Sequence, residues 1–503
     1  MSGESTGNDN VGRALRGGAR ALTGVLVIGA AAAAAVALGS APLPSVERQP
    51  VSLTVDTLRG AERQFVCPGS FAELGADSSR PGVAVPVGVA NLSIAGSATS
   101  QSELEREEAG GSAPAVLSVP AGDVFAAAQT QAIVSDTLRG LTAAACTEPA
   151  NEQWLVGGTT VVGASTTLNL GNPYDVPATV RLTVYDENGK IDSSLTTGVL
   201  VPARSERIVS LNGYAPARER LVVRVDSTGA AVVASLGIGQ VTGLQPFAVD
   251  TVTRQLAGET TLVVPGVANL SDHEHGPGDT GEADAFPVIV RAFSTTGESG
   301  TASVRALFAD GTDEDLGTIE LAASAVGELS VAHWPEEASA VVIDANVPVV
   351  GGVLGSANSG PDHDYAWFAP APALEGEVVA SVAGGGLVLA NPGEVDAEVR
   401  ITGFSSLAAP DAEDATGGGP ADGESGIDGS ASGSVPEGEA ETAEQTVIVP
   451  AGGAIALNVP ATIRISSSAP VHAAVRIASG GNIAGYPVLG EPDRVSSLTV
   501  YPR

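Results

Sequence analysis

An internal repeat constrains the fold of this chain more than any other feature of its sequence. Residues 168–183 (LNLGNPYDVPATVRLT) align without a gap with residues 387–402 (LVLANPGEVDAEVRIT). The matched positions are Leu168, Leu170, Asn172, Pro173, Ala178, Val180, Arg181 and Thr183 with Leu387, Leu389, Asn391, Pro392, Ala397, Val399, Arg400 and Thr402. A repeat of this kind indicates that one structural unit is used more than once. We therefore expect at least two copies of one module.

Tryptophan and Asn-Pro positions accompany both copies of this repeat. Trp154 in QWLVGG precedes the first copy, and Trp367 in AWFAPA precedes the second at a similar distance. Tryptophan is on average a well-buried residue, although it can also serve as a binding platform, and Asn and Pro favour turns. We predict structural roles, in the core or in turns, for Trp154, Asn172, Pro173, Trp367, Asn391 and Pro392.

A second pair of similar segments consists of PVGVANLS at 86–93 and VPGVANLS at 264–271. We expect Asn91 and Asn269 to end a strand in these segments, as the asparagines of the first repeat do. The two kinds of repeat alternate along the chain in the order NL, NP, NL, NP. This order predicts four modules that arose by duplication of a two-module unit.

The periodicity of apolar residues sets the fold class. In residues 179–185 (TVRLTVY), Val180, Leu182 and Val184 alternate with polar or outward-facing residues, as in a half-buried strand. The chain has 63 Gly and 32 Pro but only 4% aromatic residues, which favours short strands and turns over long helices. We predict an all-β fold of tandem antiparallel β-sandwich (Ig-like) modules of about 100 residues each. A propeller-like or barrel arrangement of the repeats is the alternative.

The N-terminal region predicts a single membrane span. Residues 21–41 are almost wholly apolar and follow Arg13, Arg16 and Arg20. About 20 apolar residues in a helix cross the hydrocarbon core, and preceding positive charges stay in the cytoplasm. We therefore expect residues 1–20 to be cytoplasmic, residues 21–41 to form a transmembrane helix and the remainder to be extracytoplasmic. A cleaved signal peptide is the alternative.

The two cysteines of the chain, Cys67 and Cys146, both lie in the predicted exported part. Disulfides form readily outside the cytoplasm, and a catalytic thiol pair would normally have the C-x-x-C spacing, which these residues lack. We predict a Cys67–Cys146 disulfide. It would close a long loop, for which the chain-entropy estimate is about 4 kcal/mol of stabilisation.

The repeats and composition shifts divide the predicted ectodomain into four β modules. We place their boundaries at residues 48–150, 151–258, 259–360 and 361–503. Residues 408–444 contain almost only Gly, Ser, Ala, Asp and Glu with small apolar content, so they cannot repay the entropy of ordering. We predict a disordered acidic loop there, inserted within the fourth module.

The charge of the chain excludes one class of partner. Its 58 acidic and 24 basic residues give a formal net charge of −34, and Lys190 is the only lysine. Proteins that bind DNA or RNA need clustered Lys and Arg to contact the phosphates. We therefore expect no nucleic-acid partner.

Two acidic, histidine-containing segments are the best candidates for metal ligands. They are residues 272–275 (DHEH), which Asp279 follows, and residues 362–364 (DHD). Imidazoles and carboxylates together can hold Zn²⁺ or another divalent ion. However, His273 and His275 lie in a Gly-rich segment, and the chain has no H-E-x-x-H or calcium-loop motif. A solvated loop is the favoured interpretation, and we predict no metal or other cofactor.

The sequence lacks the common catalytic motifs. It contains no G-x-S-x-G, no S-x-x-K, no P-loop and no Rossmann fingerprint. Carboxylates are too numerous to single out a glycosidase pair, and the aromatic platforms common in sugar sites are scarce. We therefore predict no catalytic residue and favour a protein that is not an enzyme.

One segment resembles a known family. It begins at Cys146 (CTEPANEQWLVGGTTVVGASTTLNLGNPYDVPATVRLTVYDENG). The positions that carry the resemblance are Cys146, Trp154, Gly157, Gly158, Leu168, Leu170, Asn172, Pro173, Ala178, Val180 and Leu182. In this pattern the chain resembles DUF5719, an actinobacterial family of membrane-anchored exported proteins of unknown function. The resemblance implies an envelope protein with a link to cell-surface glycopolymer assembly, and it transfers no catalytic residue.

These observations together predict a non-enzymatic scaffold or binding protein of the bacterial cell envelope. We expect a single-pass membrane protein whose β modules present loops to an envelope protein or to cell-wall glycopolymer. The alternative is an enzyme or accessory subunit that acts on cell-surface glycopolymer. A third possibility is a metal-stabilised adhesin that uses the acids of residues 272–279 and 362–364.

Overall fold

The computed structural model describes residues 25–33, 53–56, 62–192, 197–243, 245–271, 284, 286–359, 362–403, 444–490 and 497–500. Residues 25–33, within the predicted membrane span, form a helix, α1. None of the helices in these ranges is both long and apolar enough to cross a membrane. The segment 272–279 lies outside the described residues, as does the predicted acidic loop except for its last residue.

The chain divides into two compact units. The smaller comprises Met1–Thr57 and Val495–Arg503, and the larger comprises Leu58–Arg494. In the smaller unit, β1 (Leu53–Asp56) pairs antiparallel with β36 (Ser497–Val500). All other strands lie in the larger unit, where α2 (Leu211–Tyr214) is the only helix among the described residues.

The first module of the larger unit contains three small sheets. Its strands are β2 (Arg63–Val66), β3 (Ala72–Leu74), β4 (Ala84–Pro86), β5 (Asn91–Ala95), β6 (Ser100–Glu103), β7 (Ala115–Val119), β8 (Ala126–Val134) and β9 (Arg139–Ala145). They pair in the orders β2-β7-β6, β3-β4 and β5-β8-β9.

The second module is a sandwich of two antiparallel sheets. Its strands are β10 (Glu152–Val156), β11 (Ala164–Asn172), β12 (Ala178–Asp186), β13 (Gly189–Lys190), β14 (Thr197–Val201), β15 (Ser205–Ser210), β16 (Val222–Thr228), β17 (Val233–Thr242) and β18 (Gln245–Val252). One sheet has the order β10-β16-β12-β14 and the other β15-β11-β17-β18. Leu168 of β11 and Leu182 of β12 belong to the core between them, and the buried and exposed residues of β12 alternate as predicted.

The third module forms a single hydrogen-bonded sheet because one long strand runs through it. Its strands are β19 (Glu259–Pro265), β20 (Asn269–Ser271), β21 (Val288–Ser294), β22 (Gly300–Leu307), β23 (Asp313–Leu321), β24 (Gly327–Val331), β25 (Ala340–Ser359) and β26 (Asp362–Phe368). Residues 340–345 of β25 pair with β19 and β22, whereas residues 349–359 pair with β21 and β26. The result is β19-β25-β22-β23 on one side and β24-β21-β25-β26 on the other.

The fourth module is again a two-sheet sandwich. Its strands are β27 (Ala373–Leu374), β28 (Glu377–Ser381), β29 (Gly386–Asn391), β30 (Ala397–Gly403), β31 (Glu444–Val449), β32 (Gly453–Leu457), β33 (Thr462–Ser467), β34 (Val471–Ser479) and β35 (Asn482–Pro487). One sheet has the order β28-β33-β30-β31 and the other β32-β29-β34-β35.

The second, third and fourth modules share one strand order, and the first module has part of it. The two sheets of the second module correspond strand by strand to those of the fourth. The third module repeats the order, with the counterparts of β16 and β17 fused into β25. The first module has the subset β2-β7-β6 and β5-β8-β9, without counterparts of β14 and β15. The prediction of an all-β fold with antiparallel sheets is confirmed.

The modules close into a ring around their last strands. β9 lies against β18, β18 against β26, β26 against β35, and β35 against β9. Neighbouring modules also share apolar clusters. Their residues are Val66, Leu104, Val116 and Val233 between the first and second; Trp154, Val156, Val222, Phe293, Val326 and Val350 between the second and third; Val263, Leu307, Ala340, Val342, Ala390 and Ala454 between the third and fourth; and Ala128 and Ala143 in the core of the fourth.

The prediction that Asn91 and Asn269 end strands is wrong. Asn91 begins β5 and Asn269 begins β20. The reason lies in the preceding glycines, since Gly88 and Gly266 have φ angles of 68° and 92° and an extended strand cannot continue through that conformation. The chain turns at the glycine, and a new strand starts at the asparagine.

Candidate functional site

The structure contains the predicted disulfide. Cys67 follows β2, the first strand of the first module, and Cys146 follows β9, its last strand. Both residues are buried in a small core with Phe65, Leu117 and Phe125. The bond therefore joins the two ends of the smallest module, where the apolar core is least extensive and a covalent link contributes most.

The two Asn-Pro motifs fasten the two sheets of a sandwich to each other. Asn172, at the end of β11, is buried, and its Nδ2 donates to the carbonyl oxygens of Val176 at 2.8 Å, Pro202 at 3.0 Å and Val201 at 3.3 Å. Its Oδ1 accepts from the backbone N–H of Tyr174 at 3.1 Å. Because Val201 ends β14 in the opposite sheet, one side chain holds the turn and both sheets together.

Asn391 makes the same arrangement in the fourth module. Its Nδ2 donates to the carbonyl oxygens of Val395 at 2.8 Å and Val449 at 3.1 Å, and its Oδ1 accepts from the backbone N–H of Gly393 at 3.1 Å. Pro173 and Pro392 each follow the asparagine outside the strand ladder, where the missing N–H costs nothing. The repeated motif is thus a structural lock.

The two tryptophans occupy different places in their modules. Trp154 lies in β10, the first strand of the second module, and packs near the rings of Tyr185 and Phe293 with centroid distances of 6.3 and 5.8 Å. Trp367 lies in β26, which pairs with β25 and is the last strand of the third module, beyond the module boundary expected at residue 360. Its ring lies beneath the guanidinium of Arg291 at 4.5 Å. Both are buried at module contacts, so they join modules and are not available as binding platforms.

The side chains of the DHD segment do not converge on one point. Asp362 forms an ion pair with Arg139 at 2.6 Å, whereas the ring of His363 stacks on Phe247 with a centroid distance of 3.9 Å. Asp364 points into the protein interior and is fully buried. Among the described residues no group of three or more His, Cys, Asp or Glu side chains is arranged to hold a metal ion.

Asp364 is the point at which all four modules meet. Its Oδ2 accepts from the backbone N–H of Leu141 in β9 at 2.8 Å and of Ile483 in β35 at 3.3 Å. Its Oδ1 accepts from Val249 in β18 at 3.3 Å and from Tyr365 in its own strand at 3.0 Å. One carboxylate of the third module therefore receives a hydrogen bond from the last strand of every module.

A second buried carboxylate lies beside this junction. Asp250 of β18 accepts from the backbone N–H of Trp367 at 2.7 Å through Oδ2, and its Oδ1 has no hydrogen-bond partner in the described part of the chain. Burial raises the pKa of Asp250 to about 7, while the backbone hydrogen bonds from Trp367 and Thr251 oppose this rise. Burial also raises the pKa of Asp364, and the negative charge of Asp250 adds to that shift. The ring centre is therefore an acidic, water-poor junction.

A small cleft lies between the first and second modules. It has a volume of about 190 Å³, and its lining includes β4, residues 106–108 and β15. Arg106 donates through Nε to Glu206 Oε2 at 2.6 Å and through Nη1 to Ser70 Oγ at 3.0 Å. Burial raises the pKa of Glu206 to about 6, although the positive charge of Arg106 opposes this. The ion pair neutralises the floor of the cleft.

Sequence reasoning missed the junction and the cleft for different reasons. Asp250 interrupts the apolar strand QPFAVDTV, and Asp364 directly precedes the apolar run YAWF of the strand DHDYAWF. A charge within or next to an apolar run is a sequence sign of an internal hydrogen-bond site. No such pattern marks Arg106 and Glu206, because they are brought together only by the packing of two modules. The third copy of the repeat was also readable, since ASVR at 302–305 matches ATVR at 178–181 and AEVR at 397–400.

Comparison with known proteins identifies one relationship. The model of DUF5719, described as a family of unknown function, matches residues 105–416. The match covers more than half of the chain, from the first module into the fourth. No curated protein and no solved structure matches the chain significantly.

Proposed function

We propose, from the premise that this chain belongs to DUF5719, a family of unknown function, that it is a non-enzymatic scaffold or binding protein of the bacterial cell envelope. In this proposal residues 21–41 anchor the chain in the cell membrane with residues 1–20 in the cytoplasm. The β modules lie outside and present their surfaces to an envelope protein or to cell-wall glycopolymer. The support for the location is the apolar N-terminal stretch together with the disulfide.

The single observation that carries the proposal is the closed ring around Asp364. Modules in a linear array with small interfaces would move relative to one another, as domains joined by small polar interfaces do. Here each neighbouring pair shares an apolar cluster, and one carboxylate binds to four strands from four modules. A ring of this kind holds distant surfaces at fixed separations, which is what a scaffold requires.

The test is crosslinking in cells with an affinity-tagged full-length chain, followed by identification of the captured proteins and sugars. The proposal predicts reproducible capture of one envelope protein or of wall polymer. An exported, membrane-anchored β protein of unrelated sequence serves as the control for nonspecific capture. If the tagged chain captures no more than this control, the scaffold function is wrong.

The alternative, an enzyme or accessory subunit acting on surface glycopolymer, is favoured by one observation, the cleft with Glu206. A carboxyl group with a pKa near 6 can act as a general acid at neutral pH. The experiment is to incubate the chain with isolated wall glycopolymer and measure newly formed reducing ends. Activity that disappears in Glu206→Gln but persists in Glu148→Gln, an ion-paired carboxylate outside the cleft lining, would establish the alternative.

A further inference from the structure

The second and fourth modules each expose a pair of large apolar side chains at related positions. In the second module, Val176 is 52% exposed and Leu200 57%. In the fourth, Val395 is 65% exposed and Ile448 53%. Single exposed apolar residues are common on protein surfaces and need no explanation. Two pairs at related positions do need one.

These two pairs occupy the same positions of the repeat. Val176 and Val395 are aligned in the two copies, LNLGNPYDVPATVRLT and LVLANPGEVDAEVRIT. Leu200 of β14 lies opposite Thr179, and Ile448 of β31 lies opposite the equivalent residue, Glu398. In each module the Asn-Pro lock fixes the arrangement, because one amide binds both the turn that contains the valine and the end of the edge strand.

The third module shows that the fold does not require apolar residues at these positions. Its ASVR segment (302–305) aligns with ATVR and AEVR, and Ser303 pairs with Thr318 as Thr179 pairs with Leu200. The third module therefore has Thr318 in place of Leu200 or Ile448, and Gly300 in place of the exposed valines. The fold of a module therefore does not depend on an apolar pair at these positions.

The strands that carry Leu200 and Ile448 are sheet edges. Among the described residues β14 pairs only with β12, and β31 pairs only with β30. An edge strand offers a row of backbone N–H and C=O groups to an incoming extended segment. Such an edge with exposed apolar side chains beside it is the surface used in strand addition, in which main-chain bonds provide affinity and side-chain contacts provide specificity.

Charge decides which kind of segment fits. Glu394 and Asp396 flank Val395, and Glu398 lies opposite Ile448, so the surroundings of β31 are acidic. Beside Val176, Asp175 is ion-paired with Arg204, so attraction at β14 comes mainly from the net charge of the chain. A second copy of a chain with a net charge of −34 would be repelled from these edges. A segment with basic side chains would be attracted to them.

We propose that β14 and β31 are two equivalent docking edges, each of which binds an extended segment of a partner protein with alternating apolar and basic side chains. The inference rests on the proposed function as a scaffold and names the chemistry of its partner. The apolar side chains of the segment cover Val176 and Leu200 in one module and Val395 and Ile448 in the other. Because both edges belong to one rigid ring, a partner with two such segments gains affinity from simultaneous binding.

The first experiment uses isothermal titration calorimetry of the full chain with the acetylated, amidated heptapeptide KVKVKVK. The wild-type chain should bind two peptides, Leu200→Thr and Ile448→Thr one each, and the double variant none. The substitution to Thr copies the residue that the third module has at this position. Val134→Thr, which removes an 82% exposed valine from the first module, is the matched control and should bind two peptides. Unchanged thermal unfolding shows that each variant is folded.

Two further peptides test the mechanism. EVEVEVE should bind at least tenfold more weakly than KVKVKVK if the negative charge of the chain selects the partner. A KVKVKVK peptide that is N-methylated on alternate residues should also bind at least tenfold more weakly, because it cannot complete the strand ladder. Equal binding of all three peptides, or no binding of KVKVKVK to the wild-type chain, overturns the proposal.

Sedimentation velocity of the chain alone tests the other possible occupant. A dimer that forms in the wild-type chain and disappears in the double variant would assign the edges to a second copy and would contradict the proposed partner. The crosslinking experiment in cells tests the scaffold function separately, because capture no greater than that of the control would contradict that function alone. If the double variant captures the same envelope component as the wild type, the docking edges are wrong while the scaffold function stands.

Discussion

The centre of the ring and the outer edges of the second and fourth modules depart from the usual distribution of polar and apolar residues in opposite ways. At the centre, the carboxylates of Asp250 and Asp364 are buried. At the edges, Leu200 and Ile448 are exposed. Globular proteins generally bury apolar side chains and expose charged ones, so each departure asks for a cause.

The difference between the two regions is that only one departure is explained by contacts within the chain. Asp364 receives four backbone hydrogen bonds, which offset the cost of burying its charge and join four modules. The exposed pairs receive no comparable compensation from the described residues, and the third module folds without them. The central departure is therefore structural, whereas no contact among the described residues accounts for the peripheral one, which is the basis of the proposed docking edges.

The largest effect is expected from removal of the central carboxylate. Asp364→Ala leaves four buried N–H groups without their acceptor, and each such group costs about 1–3 kcal/mol. We expect a loss of about 5 kcal/mol in the free energy of unfolding, measured by urea denaturation. Asp362→Ala, two residues away, removes a partly exposed ion pair with Arg139 and should cost less than about 1 kcal/mol. Similar losses in both variants would contradict the role assigned to Asp364.

The second carboxylate should make stability depend on pH. Because the pKa of Asp250 is raised from 3.8 to about 7 by burial, the folded chain binds more protons than the unfolded chain between these values. Stability should therefore fall as the pH rises from about 4 to about 7, and no further above that. The shift corresponds to at most about 4 kcal/mol at 1.36 kcal/mol per pKa unit.

Asp250→Asn tests this dependence. The variant and the wild type should have similar stability near pH 4, and the variant should become progressively more stable than the wild type up to about pH 7, with no further gain above it. The difference in stability between the two proteins removes the pH dependence that comes from groups elsewhere, such as Glu206. It keeps the pH dependence of Asp250 and of the groups coupled to it, Asp364 and Tyr365. Thermal unfolding at several pH values provides the measurement. Parallel pH profiles for the two proteins would show that Asp250 is ionised at the ring centre without cost.

The Asn-Pro locks should give the next largest effects, and they should differ. Asn172 donates to three carbonyl oxygens and Asn391 to two. We expect Asn172→Ala to lower the free energy of unfolding by about 3 kcal/mol and Asn391→Ala by about 2 kcal/mol. Urea denaturation of both variants decides the order. Equal losses for Asn172→Ala and Asn391→Ala would mean that the third acceptor, Pro202, contributes nothing.

The repeat unit was readable in the sequence because it depends on local patterns. Alternation in β12, the glycine and proline content and the Asn-Pro pairs are properties of short segments, and they led to an all-β repeated fold. The same reasoning failed at Asn91 and Asn269, where Gly88 and Gly266 adopt positive φ and change the direction of the chain. In that case the two similar segments behave alike, and what failed was their comparison with the Asn-Pro segments, whose asparagines end a strand.

The ring was not readable in the sequence because it depends on contacts between residues far apart in the chain. The bond from Leu141 to Asp364 spans 223 positions, and no local pattern encodes it. A comparison of the repeated segments also does not predict that two strands are fused into β25, because this feature occurs in the third module alone. The local sequence does show a charged residue within or next to an apolar run. Such a residue is a candidate for an internal hydrogen-bond site.

The smallest effect on stability is expected at the docking edges, and this prediction separates the two regions most clearly. Leu200→Thr and Ile448→Thr exchange exposed strand residues for another strand-favouring residue, so each should change the free energy of unfolding by less than about 0.5 kcal/mol. Urea denaturation of the single and double variants, beside Val134→Thr, provides the measurement. A loss above about 1.5 kcal/mol in either variant would mean that the exposed side chains stabilise the module itself. Unchanged stability combined with lost peptide binding would leave recognition as the reason for their retention.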